Sequence, residues 1–537
     1  MTTTGPRAGT PPPASSRNLF VRNATGLVRE LSPFDAFNLV FSAVLIPVGI
    51  TEVMAFTPTF WPHANMLIAF LLATPLVAAC GLVYLYFTVI MPRSGGDYVW
   101  VSRTLSPFFG FFANFSLTFV FLTWVAFNFT YMLGTMGPAA AYVAGWHSSF
   151  LTSPSRGEMM VISTVLTALF TGLMIFGVRV VARFMKVTFA IVWLGMIAWL
   201  IDMAVGSHGH FTDAWNAHSG TTYAGVLAQA GHLGFSAAGG IGWVATIFGV
   251  IYCFQVYTGF QWTGYFAGEI RNVRRTASTS ILGALGVSAV GYVVGVALIY
   301  KYYGFQFFGA VVFMGLGSGS AHWTLPFAPY LPALVNFLPG PQWLLAFIAV
   351  CFVLAIIWWT PTGFLLGTRN MFAWSFDRLA PEKLTAVSDR FHTPVVATIT
   401  IGCVVELLNY LNIYQGLGAY LLNVIAVMGV AFIIVSVAAA VAPWRRPAMH
   451  AAGPGWARAR LAGVPVVTWV AAVSAISWGF VIYVAFHTGF GGTFGLKPML
   501  EAFTAPLIGI VYYVGVRLYR RHQGMLLTPA FAEIPPE

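Results

Sequence analysis

Twelve long apolar stretches divide this 537-residue sequence, and each is near the roughly 20 residues that an α-helix needs to cross a bilayer. Hydrophobic residues make up 58% of the chain and charged residues 8%, whereas a soluble domain carries about 25% charge. The pattern predicts an all-α polytopic membrane protein with twelve transmembrane helices. We place them near residues 33–57, 64–90, 106–134, 158–177, 184–205, 240–266, 277–301, 342–371, 394–412, 416–441, 464–487 and 501–519.

Basic residues lie almost entirely on one side of these helices, called the basic side below. Of the 26 Lys and Arg residues, all but Arg156, Lys301 and Lys497 fall in the tails or in alternate loops. The positive-inside rule puts this side in the cytoplasm, so we expect a multi-pass protein of the cytoplasmic membrane with both termini inside. The same asymmetry explains the net charge of +11 without a nucleic-acid partner.

The outer segment 206–239 contains four histidines, but their spacing matches no compact metal motif. We therefore expect a solvated loop there and no metal site.

Two of the apolar stretches are interrupted. Residues 42–52 read SAVLIPVGITE, in which Pro47 cannot close a helical hydrogen bond and Gly49 tolerates unusual backbone angles. Residues 249–275 place several amide, hydroxyl and glycine residues at mid-depth. Polar groups at that depth are costly unless they line a cavity or a helix break. Two broken segments at matching places in two halves indicate the binding site of a transporter.

Three inner segments follow spans two, six and eight. Residues 92–98 read PRSGGDY, residues 259–260 read GF and residues 267–272 read AGEIRN, while residues 368–373 read TRNMFA and residues 377–381 read DRLAP. These segments resemble, in order and at the right spans, motifs of the amino acid–polyamine–organocation (APC) transporter superfamily.

The resemblance implies the leucine-transporter fold, in which two inverted repeats of five helices are followed by two further helices. It implies a transporter domain at residues 31–522, with repeats at 33–205 and 240–441 and extra helices at 464–519. On this interpretation residues 1–30, rich in Pro, Ser and Thr, form a disordered cytoplasmic tail, and residues 523–537 form a second cytoplasmic tail.

In the family, substrate binds between spans one, three, six and eight, and access alternates between the two sides. The corresponding candidate substrate-binding residues are Ser42, Ile46, Pro47, Val48, Gly49, Ile50, Trp124, Asn128, Phe254, Gln255, Tyr257, Thr258, Gly259, Trp359 and Thr362. The candidate cytoplasmic gate consists of Arg93, Glu269, Arg369 and Asp377. The alternative is that these inner-loop residues only set the topology and cap helices.

The sequence departs from the family at the two breaks. Pro47 stands at a family glycine and removes one of the N–H groups that, in the family, hold a substrate carboxylate. Glu52 follows at intramembrane depth, and Gln255 stands where a gating aromatic is usual. Some proton-coupled relatives carry a lysine in span five, where this chain has Val192 or Trp193. Glu52 is thus the candidate coupling residue, with a structural hydrogen bond or an interface position near the outer mouth as the alternatives.

These observations predict a secondary active transporter of an amino acid or a related amine, working by symport or another coupled mode. The sequence contains no phosphate-binding loop of the GxxxxGK[ST] type, and no catalytic constellation stands out, so we expect neither an ATPase nor another enzyme. No cofactor is expected, and H+ and Na+ both remain candidate coupling ions. A polyamine or organic-cation transporter or exchanger is the alternative, followed by a non-transporting solute sensor. Monomer and homodimer are both left open.

Overall fold

Twelve helical segments long and apolar enough to cross a membrane are present in the part of the chain that the structure, a computed structural model, describes. That part comprises residues 27–236, 240–417, 424–488 and 495–525, with residues 531 and 533. The segments, spans 1 to 12, are Pro33–Phe60, Met66–Ile90, Pro107–Ala144, Arg156–Ile175, Val178–Val205, Trp243–Gly264, Val273–Tyr303, Gln342–Phe376, Val395–Gln415, Val424–Arg445, Val466–His487 and Ala502–His522. The predicted all-α polytopic fold is confirmed.

The α-helices in chain order are α1 (Pro33–Val44), α2 (Ile46–Phe60), α3 (Met66–Ile90), α4 (Asp97–Thr104), α5 (Pro107–Tyr131), α6 (Gly137–Ala144), α7 (Ser149–Thr152), α8 (Arg156–Ile175), α9 (Val178–Val205), α10 (His208–His218), α11 (Tyr223–His232), α12 (Trp243–Tyr257), α13 (Val273–Tyr303), α14 (Phe305–Gly315), α15 (Leu331–Leu334), α16 (Gln342–Phe376), α17 (Val395–Gln415), α18 (Val424–Arg445), α19 (Pro447–Ala451), α20 (Gly455–Arg458), α21 (Val466–His487) and α22 (Leu496–His522). Short 3₁₀ helices cover Phe260–Gly264, Ala267–Glu269, Ser320–His322, Val335–Phe337 and Glu382–Thr385, and a π-helix covers Met132–Met136. Strands β1 (Arg460–Leu461) and β2 (Val464–Pro465) pair antiparallel.

Span 1 begins with a capping box. The Ser32 hydroxyl accepts the Asp35 N–H at 3.2 Å, and the Asp35 carboxylate accepts the Ser32 N–H at 3.1 Å. Both bonds satisfy donors that the first helical turn cannot pair internally. Pro33 follows at the start of α1, where its missing N–H costs nothing.

Span 1 breaks at Leu45, which adopts a left-handed conformation (φ 49°, ψ 53°) between α1 and α2. The interruption predicted within residues 42–52 is therefore present. Pro47 does not itself interrupt the helix, since it lies in the first turn of α2. A proline there fits because that N–H would have no intrahelical acceptor.

Span 6 breaks at Thr258 and Gly259. Helix α12 ends at Tyr257, Gly259 has φ 137°, and the chain continues as a 3₁₀ helix from Phe260 to Gly264. Spans 1 and 6 are the two spans most enclosed by the rest of the described protein, whereas spans 4, 5 and 12 are among the least enclosed. The two broken spans thus lie in the interior of the bundle, where freed backbone groups can be satisfied by protein.

The outer segment differs from the predicted solvated loop, because its described part forms α10 and α11. Phe211 and Trp215 of α10 are fully buried, and both pack edge-on against Phe307 of α14. The ring of Tyr223 stacks on Phe307 at 4.1 Å between centroids. Aromatic residues spaced along these helices bury enough apolar surface to fold a compact outer layer.

Candidate functional site

The two breaks touch each other directly. A Cβ atom placed on Gly259 would lie 2.5 Å from the backbone carbonyl carbon of Ala43 and 2.7 Å from its oxygen. Gly259 also has the positive φ that favours glycine. Only glycine therefore lets span 6 approach span 1 this closely.

Tyr292 of α13 holds both breaks in place. Its buried hydroxyl lies 3.1 Å from the carbonyl oxygen of Val44 and 3.3 Å from that of Val256, so its single O–H is shared between carbonyls beside the two breaks. Gly49 makes room for this hydroxyl, because a Cβ atom there would lie 2.3 Å from the Tyr292 oxygen. Buried carbonyl groups freed by a helix break need such a donor.

A cavity of about 310 Å³ lies beside the paired breaks. This volume is at the small end of the range for ligand pockets, about 300–1,000 Å³, and suits a small solute. Its lining comes from spans 1, 3, 6 and 8. The lining residues are Ala43, Val44, Leu45, Val48, Gly49, Glu52, Phe56, Trp124, Phe127, Asn128, Gln255, Val256, Thr258 and Trp359.

Eight of the predicted substrate-binding and coupling residues line this cavity. They are Val48, Gly49, Glu52, Trp124, Asn128, Gln255, Thr258 and Trp359. The structure thus brings together residues as far apart in the sequence as Val48 and Trp359. That these residues bind substrate remains a prediction.

The other predicted residues from spans 1 and 8 lie next to the cavity but serve packing or helix contacts. The Ser42 hydroxyl is 2.9 Å from that of Thr362, which joins span 1 to span 8 in a buried contact. Ile46 and Ile50 instead pack against α13, at Gly291 and Gly295 respectively. The carbonyl of Pro47 accepts a hydrogen bond from the Thr51 hydroxyl.

The remaining predicted residues of span 6 are not part of the cavity lining. Phe254 packs edge-on against Trp478, and the Tyr257 hydroxyl is 2.8 Å from that of Thr74. Gly259 supports the contact between the breaks. The hydrogen bond to Thr74 accounts for the polar group of Tyr257 as well as a contact with solute would.

Sequence reasoning missed six residues that line the cavity: Ala43, Val44, Leu45, Phe56, Phe127 and Val256. Helical periodicity offered a signal for Phe56, because Gly49, Glu52 and Phe56 recur at helical spacing on α2 and share a face. No local signal identifies Tyr292, whose role depends on a contact 248 residues away.

Two acceptor atoms in the cavity walls lack donors. Among the described residues, Oδ1 of Asn128 and Oε1 of Gln255 are buried and have no hydrogen-bond partner. The orientation of the Asn128 amide is defined by its Nδ2, which donates to the Trp124 carbonyl oxygen at 2.9 Å. Such atoms are costly to bury unpaired, so a bound donor would stabilise them.

Glu52 is the only ionisable residue of type Asp, Glu, Lys, Arg or His in the described lining of the cavity. No described basic side chain forms an ion pair with it. Glu406, the other intramembrane acid of interest, lies in span 9 and accepts hydrogen bonds from Thr164 and Asn409. Glu52 therefore differs from Glu406 in facing space that a proton or a cation can occupy.

On the basic side, two buried ion pairs join the segments that follow spans 2 and 6 to the last turns of span 8 and to Asp377 directly after it. Nε and Nη2 of Arg369 contact the two carboxylate oxygens of Glu269 at 2.6 and 2.7 Å. Asp377 is held in the same bidentate way by Arg103, at 2.6 and 2.8 Å. Arg93 belongs to neither of these pairs, and its Nη1 donates to the Pro92 carbonyl oxygen. The predicted role of these residues as a gate remains a prediction.

A buried carboxylate in the loop between spans 2 and 3 ties this region together. Asp97 accepts hydrogen bonds from the hydroxyls of Tyr84 (2.9 Å) and Tyr265 (2.7 Å) and from Asn114 Nδ2 (2.5 Å). Burial raises the pKa of the Asp97 carboxyl, and these three hydrogen bonds oppose that change. Spans 2, 3 and 6 are thereby linked at one residue.

The chain matches a family model over nearly its whole length. The model described as amino acid permease matches residues 31–506. Among curated proteins, none gives a significant match to this chain.

Proposed function

The chain belongs to the amino acid permease family, and we propose that it is a secondary active transporter that moves an amino acid or a related amine by alternating access. As a permease with twelve apolar helices in the described part of the chain, it is a multi-pass membrane protein, and the family indicates a transporter rather than an enzyme. We further propose that it lies in the cytoplasmic membrane with both termini in the cytoplasm.

The observation that carries this proposal is the cavity at the junction of two broken spans. Discontinuous helices present free backbone groups and side chains to a solute near the centre of the membrane. Here the breaks at Leu45 and Thr258 both border the cavity. Such a cavity holds a solute by noncovalent contacts alone. The solute can therefore enter and leave without any covalent bond being made or broken.

Coupling is proposed at Glu52. An unpaired carboxylate facing a cavity is stabilised when it binds a proton or a cation, because either removes an uncompensated charge from a poorly solvated site. A gradient of that ion then biases which way the loaded transporter releases its solute.

Counterflow uptake in proteoliposomes tests the proposal. We expect the purified protein to exchange internal unlabelled solute for labelled solute within a panel of amino acids and amines. Glu52→Gln should lose accumulation driven by an ion gradient, whereas the matched variant Glu406→Gln in span 9 should keep it. Binding of a panel member without any uptake by the wild-type protein would instead indicate a solute sensor.

A further inference from the structure

We propose that the cavity recognises a cationic amine that lacks a carboxylate, and that this cation and a proton occupy the Glu52 carboxylate in turn, so that the protein exchanges amine for proton. The inference rests on the proposed transport function and specifies its substrate class and its coupling. It follows from the charge and the hydrogen-bonding groups of the cavity.

The described lining of the cavity contains one acidic side chain and no basic one. Among the described residues, the titratable groups near enough to interact electrostatically with Glu52 are the phenols of Tyr131, Tyr252, Tyr292 and Tyr330. A phenol is neutral at physiological pH and does not offset a carboxylate. A solute with a single positive charge therefore complements the site.

The charged groups on the helices packed against α2 are engaged elsewhere. On α13, the Lys301 ammonium donates to the Gly206 carbonyl oxygen at 3.1 Å, and Arg274 donates to the Ala452 carbonyl oxygen at 2.7 Å. Arg275 is exposed at the same end of α13 as Arg274. On α16, Arg369 is paired with Glu269. In the described part of α3, α12, α14 and α15 the sequence has no Lys, Arg, Asp, Glu or His.

The hydrogen-bonding groups of the cavity favour a donor-rich solute. An alkylammonium group has up to three N–H donors and no acceptor. The cavity offers it the Glu52 carboxylate and the two unpartnered amide oxygens of Asn128 and Gln255. The aromatic residues Trp124 and Trp359 also line the cavity, and aromatic faces attract a desolvated cation.

A substrate carboxylate finds weaker support. The first turn of α2 can offer it only the N–H groups of Ile46 and Val48, because Pro47 has none and the Gly49 N–H bonds to the Leu45 carbonyl oxygen at 2.9 Å. No cationic side chain lines the described cavity, and the carboxylate would share that space with Glu52. Like charges in a poorly solvated site repel strongly.

A single carboxylate that binds either ligand leads to exchange. When the ammonium binds, the Glu52 carboxyl gives up its proton to water, and the ammonium N–H groups then donate to the carboxylate. When the proton returns, the amine is displaced. One monovalent cation moves in for each proton that moves out, so the cycle transfers no net charge. Symport of the same amine with a proton would move two charges, and a zwitterionic amino acid with a proton would move one.

The test uses wild-type protein in proteoliposomes with an imposed pH gradient or an imposed potential. A neutral primary amine also diffuses through lipid and accumulates in an acidic interior, so uptake is measured relative to protein-free liposomes. We expect an acidic interior to drive protein-dependent uptake of a labelled primary monoamine at zero potential, and an interior-negative potential at equal pH to drive none. Uptake driven by potential at equal pH would overturn the inference. The control is Glu406→Gln, which should retain exchange driven by the pH gradient.

Binding measurements give a second test that does not depend on transport. Titrating a monoamine into weakly buffered, detergent-solubilised protein should release one proton for each amine bound. Asn128→Leu should weaken amine binding by about ten- to a hundredfold, because it removes a hydrogen bond to a charged group, without lowering thermal stability. Amine binding without proton release would overturn the shared role of Glu52.

Substrate competition separates this inference from the proposed function. If neutral amino acids are transported and monoamines fail to compete with them, the inference fails and the transporter assignment remains. If no amino acid or amine in the panel is transported under either gradient, the proposed function fails as well.

Discussion

Arg369→Gln is expected to be strongly destabilising, because it leaves Glu269 as an unpaired charge in the interior. The two side chains meet through two bonds of 2.6 and 2.7 Å, and each is only 2% exposed. Removing one partner of such a buried pair costs about 3–5 kcal/mol, which changes a folding equilibrium more than a hundredfold. The pair joins the segment after span 6 to span 8 on the basic side. The same loss should therefore disturb closure of the proposed cytoplasmic gate.

The matched control is Arg179→Gln. Arg179 also pairs with a glutamate, Glu30, at 2.9 Å, but its side chain is 66% exposed. Ion pairs in water are worth about 0–1 kcal/mol, so the control should lose little stability. The double variant Glu269→Gln/Arg369→Gln should recover much of the loss, because neither charge is then buried alone.

Unfolding of the purified variants in mixed detergent micelles measures these differences. The double-mutant cycle gives the coupling energy between Glu269 and Arg369 directly. The reasoning is refuted if Arg369→Gln loses no more stability than Arg179→Gln, or if the double variant is as unstable as the two single losses added together.

Two further predictions concern the backbone and a histidine of the basic side. Gly259→Ala should destabilise the protein and abolish solute binding. The added Cβ would overlap the Ala43 backbone, and the φ of 137° at this position suits glycine alone. In the control Gly286→Ala the added Cβ meets nothing within 4 Å, so this variant should match wild type in thermal unfolding and binding assays. Burial, with help from nearby arginines, lowers the pKa of His450 below the ordinary histidine value of about 6.5. The unfolded chain therefore binds more protons, so the His450 contribution to stability is present above about pH 6.5 and is lost as pH falls. His450→Gln should flatten the dependence of the unfolding temperature on pH between about 5 and 8. The control His322→Gln, at an exposed histidine, should not flatten it. An unchanged pH dependence in His450→Gln would contradict this prediction.

Much of the fold follows from local sequence alone. Each span is recognisable because apolar residues persist for the thickness of a bilayer, and the breaks at Leu45 and Gly259 are signalled by Pro47, Gly49 and the polar residues near them. These features need only composition, local backbone chemistry and charge, which neighbouring residues in the chain determine.

The outer layer and the gate partners depend on contacts distant in the chain. Residues 206–239 were expected as a solvated loop because they contain polar and histidine residues, yet Phe211 and Trp215 find aromatic partners on α14. Asp377 pairs with Arg103, which lies 274 positions earlier. Sequence motifs identify such residues as candidates but do not state which of several arginines will be near.

The sequence by itself determined the membrane class, the number of spans, the two helix breaks and the presence of one acid beside the first of them. Only the tertiary structure decided that Glu52 faces a cavity, that Asn128 and Gln255 leave acceptors open there, and that Tyr292 joins the two breaks. The physical reason is that helix formation in lipid depends on local hydrophobicity and backbone hydrogen bonds. The side on which a polar residue lies depends instead on how the helices rotate and pack against one another.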